Sequence, residues 1–144
     1  MLLDTDHCTK GTHLASFVAA LSVARQKGVS VALSKPCFEI WLLLHHVDEA
    51  RLESHPACEH VERALRTRLG EYNKTNLKPE HFSLASVADA CARARRLDAA
   101  VPGGEIPGAN TTRVFRLWEA IVSKALPAQL PLELRSVLPS DRLA

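Results

Sequence analysis

The pattern of apolar and polar positions predicts a strand, a helix and a second strand at the start of the chain. Residues 1–4 begin with three apolar side chains and fit the end of a buried strand. Residues 12–27 carry apolar side chains at the i, i+3, i+4 spacing of a helix. Residues 29–33 alternate and include β-branched side chains, which is typical of a strand. This order predicts a βαβ crossover with parallel pairing of the two strands.

The most apolar run of the chain, residues 34–46, predicts a buried helix. Pro36 is expected in its first turn, where a missing N–H costs nothing, and Ser34 is a candidate N-cap. Apolar side chains occur on every side of this helix, so it should lie inside the protein. Glu39 then needs a partner, a metal ion or a proton, because a buried carboxylate is costly without one.

The rest of the chain is predicted to be mainly helical. Helical patterns extend through residues 48–69, 84–97 and from Asn110 or Thr111 to about 126, with loops between them. The expected fold class is therefore α/β, a short parallel sheet followed by a mainly α-helical C-terminal part. We expect one domain, composed of a βαβ core with its buried helix at 1–46, a helical remainder at 47–126 and an irregular, peripheral tail at 127–144.

Polar side chains are expected to converge where the two parallel strands end. Asp4 and Asp6 follow the first strand, and the segment from Ser34 to Glu39 follows the second. Ligands gather at the carboxyl ends of strands in open α/β sheets. Two neighbouring carboxylates can share a hard cation such as Mg²⁺. For a motif as short as D-x-D, an aspartate-rich turn or a helix cap is the more common interpretation.

Composition narrows the class of protein only slightly. The 144 residues are 47% hydrophobic and 24% charged, as in ordinary globular domains, and a net charge of +2 is too small to indicate a polyanion-binding protein. No secretory leader or membrane-spanning segment is recognised, so we expect a cytoplasmic protein without membrane association. The four cysteines form no C-x-x-C pair and are predicted to be reduced thiols: Cys8, Cys37, Cys58 and Cys91.

A zinc site is not predicted. His55, Cys58 and His60 form an H-x₂-C-x-H pattern, which matches no common ligand spacing and lacks a clear fourth ligand. An exposed polar turn is the favoured interpretation.

Three separated pieces of the chain together resemble the RloB-like family. The run L-D-T-D-H at 3–7 looks like the family's aspartate-rich strand end, and S-K-P-C-F-E-I-W-L-L-L-H at 34–45 is close to its S-N-P-C-F-E-x-W-L-L-L-H block. The third piece combines Y-N-K at 72–74 with N-T-T-R-V-F-R-L at 110–117, similar to the family's tyrosine-lysine turn and late threonine-led helix. These pieces cover most of the chain in the family's order.

The resemblance implies a Toprim-like core in a bacterial protein found near restriction and phage-defence genes, with activity as a divalent-metal-dependent nuclease. Asp4 and Asp6 would then hold Mg²⁺ or Mn²⁺, and the metal would polarise a phosphoryl oxygen. Glu39 would complete the metal shell or bond to Lys35 or Lys74. His45, at a fixed position of the block, would relay a proton or orient a carboxylate, although a core histidine is an equally good interpretation.

The resemblance also implies DNA or RNA as a partner. Its candidate phosphate contacts are cationic side chains, for which an ordinary surface role is the alternative: Lys35, Lys74, Arg113 and Arg116. A second class of function stays open, a non-catalytic subunit or remnant that binds nucleic acid or an ATPase encoded nearby.

The chain departs from the family's pattern in three places. Lys35 replaces an asparagine of the block, and His46 stands where an aromatic residue usually follows the histidine. The strand and glutamate that precede the D-x-D pair in Toprim sites are also missing. We therefore hypothesise that the chain is a shortened product of a longer protein, which an upstream in-frame sequence with an acidic strand-end motif would support.

Overall fold

The computed structural model describes residues 1–6, 8 and 11–138. Its helices and strands, in chain order, are β1 (Leu2–Asp4), α1 (His13–Gln26), β2 (Ala32–Lys35), α2 (Glu39–Leu44), α3 (Cys58–Leu69), α4 (Leu84–Ala100), β3 (Thr111–Thr112) and α5 (Val114–Lys124). Short 3₁₀ helices occupy Glu49–Arg51, Pro79–His81, Pro127–Gln129 and Leu132–Val137. The predicted α/β class is confirmed, with mostly helical structure around one small sheet.

The three strands form a sheet in the order β1-β2-β3. β1 pairs in parallel with β2, with Leu3 opposite Leu33, so the predicted βαβ crossover is confirmed. β3 pairs antiparallel with β2 and places Thr112 opposite Ser34. The helix predicted to begin at Asn110 or Thr111 begins later. The backbone at 111–112 bonds to the sheet, and α5 begins only at Val114.

α2 lies at the centre of the core, as its apolar sequence predicts. All six of its residues are buried, and it packs against α3, α4 and the sheet. The predicted start of this helix is wrong, because Ser34 belongs to β2 and its hydroxyl bonds to Thr112 across the sheet at 2.7 Å. Pro36, whose peptide bond with Lys35 is cis, therefore lies before the helix, and Phe38 occupies the N-cap position.

Part of the predicted tail belongs to the core, and this corrects our expectation of an irregular, peripheral segment. Leu132–Val137 packs against α4 and α5, and Leu134 and Val137 are buried between them. Arg95 donates a hydrogen bond to the Val137 carbonyl at 2.6 Å. Residues 139–144 lie outside the described part of the chain.

α1 is the least buried of the five helices. Leu21 is its one buried residue, whereas Leu14, Val18 and Val23 expose 37–53% of their surface. An open groove of about 690 Å³ runs beside α1 along the amino end of β2. In the described ranges, no helix has the length and apolar character needed to cross a membrane.

Candidate functional site

Asp4 and Asp6 lie beside the segment that leads from β2 into α2. The Asp4 carboxylate accepts a hydrogen bond from the Phe38 N–H at 2.7 Å, and the Asp6 N–H donates to the Pro36 carbonyl at 3.1 Å. Thr5 between them is fully buried, and its N–H donates to the Ser34 carbonyl at 3.1 Å. The predicted convergence of the two strand ends is therefore present in the fold. Asp4 is exposed and Asp6 is half-buried.

Glu39 is a buried carboxylate that accepts a hydrogen bond of ordinary length from Tyr72. Only 7% of its surface is exposed, and the Tyr72 hydroxyl donates to Oε1 at 2.8 Å. Burial and the neighbouring Glu39 carboxylate raise the pKa of Tyr72, so this hydroxyl keeps its proton. The side chains expected to bond Glu39 lie elsewhere: Lys35 belongs to β2, and Lys74 pairs with Glu62, with Nζ 3.7 Å from Oε1.

The side chains near Glu39 form a different group from the one expected. Ligand atoms of Cys37, Glu39 and Cys58 lie within 4.8 Å of one another, and Cys58 Sγ is 3.5 Å from Glu39 Oε2. Within the described ranges, Glu39 forms no such three-ligand group with Asp4 and Asp6. The two aspartates nevertheless offer the hard oxygen donors that Mg²⁺ prefers, at the accessible end of β1. The aspartate pair therefore fits Mg²⁺ in chemistry, without Glu39 beside it.

The prediction of four reduced cysteines is wrong for two of them. Cys37 and Cys58 form a disulfide, whereas Cys8 and Cys91 are free. The residues are 21 positions apart, and the packing of α2 against α3 brings them together. No short-range spacing in the sequence could reveal this pair. Cys91 is fully buried, and this burial raises the pKa of its thiol to about 12.

His45 lies at the far end of α2 from Glu39, in an aromatic environment. Trp41 and Phe82 face it edge-on with ring centroids 5.1 and 5.2 Å away, and Nδ1 is 2.8 Å from the Ser86 hydroxyl. Burial is the main cause that lowers the pKa of His45 to about 4, helped by the nearby His46 and Arg93. Such a neutral, buried imidazole has the surroundings of a core histidine.

Two of the four candidate phosphate contacts, Arg113 and Arg116, form ion pairs with the same carboxylate, that of Asp98. Arg113 Nε and an Arg116 guanidinium nitrogen each lie 2.9 Å from a different oxygen of Asp98. Arg113 is buried and also donates to the Glu105 carbonyl at 2.8 Å, whereas the Arg116 side chain is 53% exposed. Both arginines line the groove beside α1, together with Arg25. This groove lies along the amino end of β2, whereas Asp4 is the last residue of β1, at its carboxyl end.

Sequence reasoning missed the residues that surround Glu39. Tyr72 is the one tyrosine of the chain and part of the Y-N-K turn that resembles the family, but nothing in its loop indicated a bond to α2. Cys58 was considered with His55 and His60, but its partners in the fold are Cys37 and Glu39. Asp98 carried no signal beyond its place near the end of a helix.

Comparison with known proteins gives one result. The family model described as RloB-like protein matches residues 1–121. Neither curated proteins nor solved structures include a significant match to the chain. The matched range contains the D-x-D pair, α2 and the start of α5, which also carry the resemblance seen in the sequence. The chain belongs to the RloB-like family.

Proposed function

We propose that this protein is a metal-dependent nuclease of bacterial phage defence, with a Toprim-type site that holds Mg²⁺ or Mn²⁺ on Asp4 and Asp6. The observation that supports this proposal best is the position of the D-x-D pair. The pair lies at the carboxyl end of β1, which is parallel to β2, and hydrogen bonds with Phe38 and Pro36 fix it beside the end of β2. Ligand sites of α/β sheets form at such places.

The chain's own residues would orient the ligands in this site. The Phe38 N–H holds one oxygen of Asp4 in place, and the backbone bond from Asp6 to Pro36 fixes the second aspartate's position. The bound metal would supply Lewis-acid polarisation of a phosphodiester. We assign no proton transfer to His45, because its contacts are with Trp41, Phe82 and Ser86.

Metal binding is tested by thermal unfolding in rising Mg²⁺ or Mn²⁺. We expect the melting temperature of the wild type to increase, because a ligand that binds only the folded state stabilises it. The Asp4→Asn/Asp6→Asn variant should show little increase, and the exposed Asp89→Asn variant should respond like the wild type. Equal responses of all three proteins would exclude a metal site on these aspartates.

Catalysis requires a separate assay with single-stranded DNA, double-stranded DNA and RNA. We expect metal-dependent cleavage of at least one of these substrates, and its loss in the Asp4→Asn/Asp6→Asn variant. Cleavage that survives in this variant would contradict the proposed site. Cleavage of none of the three, with metal bound, would contradict the nuclease activity.

The groove beside α1 favours a second candidate, a non-catalytic subunit that binds nucleic acid. Arg25, Arg113 and Arg116 line this groove, away from the D-x-D pair, and such cations can contact phosphates if they exchange their present partners, Glu105 and Asp98. This candidate predicts nucleic-acid binding in the presence of a metal chelator, unchanged by Asp4→Asn/Asp6→Asn. Absence of binding under these conditions would exclude it.

A further inference from the structure

We propose that Cys37, Cys58 and Glu39 form a zinc site when the disulfide between the two cysteines is reduced. This site is separate from the proposed Mg²⁺ site on Asp4 and Asp6, and it does not depend on nuclease activity. It has two states, one closed by the disulfide and one that holds the metal ion.

The fold already brings the three ligands together. Cys37 lies just before α2, Glu39 is the first residue of α2, and Cys58 is the first residue of α3. Their ligand atoms lie within 4.8 Å of one another, and α2 packs directly against α3. The side chains of a reduced site would therefore start close to one another.

The donor set suits zinc better than magnesium. Zn²⁺ is bound by cysteine thiolates together with nitrogen or carboxylate ligands, usually in a tetrahedral site, whereas Mg²⁺ requires oxygen ligands. Two thiolates and one carboxylate leave a fourth position for water. Cys37 is fully buried and Cys58 is half-buried, so an ion can reach the site from the Cys58 side.

The environment of Glu39 is the second, independent observation. Glu39 exposes only 7% of its surface, yet no lysine or arginine of the described chain forms an ion pair with it. A buried carboxylate needs a counter-charge or a proton, and a zinc ion between the two sulfurs would supply that counter-charge. Tyr72 acts as a positioning residue, since its hydroxyl holds Oε1 while Oε2 faces Cys58.

The change between the two states is a two-electron reaction. A dithiol reductant gives two electrons and two protons to the Cys37–Cys58 disulfide, which becomes two thiols, and the reductant becomes a disulfide. Zn²⁺ then binds both sulfurs as thiolates, and the two thiol protons are released to solvent. Exchange with a small-molecule disulfide reverses the change: this oxidant takes the two electrons and, with two protons from solvent, becomes two thiols, while the Cys37–Cys58 disulfide forms again. The ion is then released, because a sulfur in a disulfide cannot bind zinc as a thiolate.

The proposal is tested with the whole chain, oxidised or reduced with a dithiol, after equilibration with Zn²⁺ and removal of excess metal. We expect the reduced protein to retain a single zinc ion per chain and the oxidised protein to retain none. Titration of the denatured protein with a chromogenic thiol reagent verifies the redox state. Zinc retained equally by both forms, or by neither, would overturn the proposal.

Co²⁺ in place of Zn²⁺ identifies the ligands by spectroscopy. The reduced wild type should show a thiolate-to-cobalt charge-transfer band, and the Cys58→Ser variant should lose it. Glu39→Gln should weaken zinc binding, and Tyr72→Phe should weaken it by about 10- to 100-fold, as expected for a residue that orients a ligand.

Variants of the two free cysteines are the matched controls. Cys8→Ser and Cys91→Ala should both keep the charge-transfer band, since neither residue belongs to the cluster. A band that survives Cys58→Ser, or disappears in Cys8→Ser, would place the metal elsewhere. Circular dichroism checks that each variant folds. If Cys58→Ser does not fold, the oxidised wild type is the metal-free comparison, and a cobalt band in that form would contradict the proposal.

Discussion

At the scale of single residues, Glu39 is the most unusual side chain of the core. Its burial followed from the apolar run around it, and its partner in the fold is the Tyr72 hydroxyl at 2.8 Å. We expect Tyr72→Phe to destabilise the protein by about 1–3 kcal/mol, because a buried acceptor loses its donor. Ser123→Ala, which removes an exposed hydroxyl bonded to the Ala120 carbonyl, should change stability by less than about 0.5 kcal/mol.

Urea unfolding at neutral pH measures the free energy of unfolding of Tyr72→Phe and of its control, Ser123→Ala. Similar midpoints for Tyr72→Phe and Ser123→Ala would mean that the bond to Glu39 contributes little. A double variant with Glu39→Gln adds a second check. If the bond accounts for the loss, Tyr72→Phe should cost less in the Glu39→Gln background, where the acceptor is no longer a carboxylate.

His45 makes the stability of the fold depend on pH. Its pKa falls from the ordinary 6.5 to about 4 in the folded protein, mainly by burial. Between these values the unfolded chain binds more protons, so the free energy of unfolding should decrease as pH falls from 6.5 towards 4. The loss from this residue should reach up to about 3 kcal/mol. His45→Gln should show a weaker pH dependence, whereas the exposed His60→Gln should follow the wild type.

Denaturant midpoints at pH 7, 6, 5 and 4 would measure this dependence. His46 and His55 also have lowered pKa values, with burial as the main cause, so part of the slope should remain in the His45 variant. Identical slopes for the wild type and His45→Gln would contradict a neutral, buried His45.

At the scale of elements, Asp4 links the end of β1 to the start of α2. Its carboxylate accepts from the Phe38 N–H at the N-cap position of α2. We expect Asp4→Ala to lower the free energy of unfolding by about 1 kcal/mol, as for the loss of a helix cap. Asp4→Asn retains an oxygen acceptor and should cost less than Asp4→Ala.

This difference separates the structural role of Asp4 from its proposed role as a metal ligand. Chemical denaturation without divalent metal measures the first role, and the metal-dependent melting shift measures the second. If Asp4→Asn were as destabilising as Asp4→Ala, the charge or another contact of Asp4 would matter more than the bond to Phe38.

The elements also show which parts of the fold are visible in a sequence. α1 and β2 show the periodicity of a helix and of a strand, β1 begins as a short apolar run, and the order of the three predicts the parallel pair. β3 has only two residues, Thr111 and Thr112, so it carries no period, and its pairing depends on the strand already formed by β2. The 3₁₀ helix at Leu132–Val137 is also invisible to local patterns. Its two buried side chains, Leu134 and Val137, are buried only because this segment packs against α4 and α5.

The candidate site likewise contains contacts that the sequence predicts and contacts that it does not. The proximity of Asp4 to the start of α2 follows from a topological rule, so it was predictable from strand order. Cys37 and Cys58 meet only through the packing of α2 against α3, and Tyr72 reaches Glu39 from a loop. Contacts of this kind depend on side-chain packing between distant segments, for which local patterns give no signal.

At the scale of the whole molecule, Arg113 joins the sheet, α4 and the connector before β3. Its N–H donates to the Leu33 carbonyl at 2.8 Å, and its guanidinium bonds to Asp98 and to the Glu105 carbonyl. Arg113 and Asp98 each expose only 10% of their side chains. The pair therefore acts first as a structural link, although Arg113 also lines the groove proposed to bind nucleic acid.

Arg113 and Arg116 should consequently respond differently to substitution. Asp98→Asn leaves the buried Arg113 charge without its acid and should destabilise the protein by about 3–5 kcal/mol. Arg113→Gln leaves Asp98 paired with Arg116, so it should cost less than Asp98→Asn, but more than Arg116→Gln because it also removes the bond to the Glu105 carbonyl. Arg116→Gln removes a half-exposed cation and should cost less than about 1 kcal/mol. Thermal unfolding without nucleic acid measures this difference, and equal losses for Arg113→Gln and Arg116→Gln would contradict it. Arg116→Gln is therefore the informative variant for the groove. If the groove binds phosphates, this variant should bind nucleic acid more weakly, and the slope of the logarithm of the binding constant against the logarithm of the salt concentration should become smaller in magnitude by about 1.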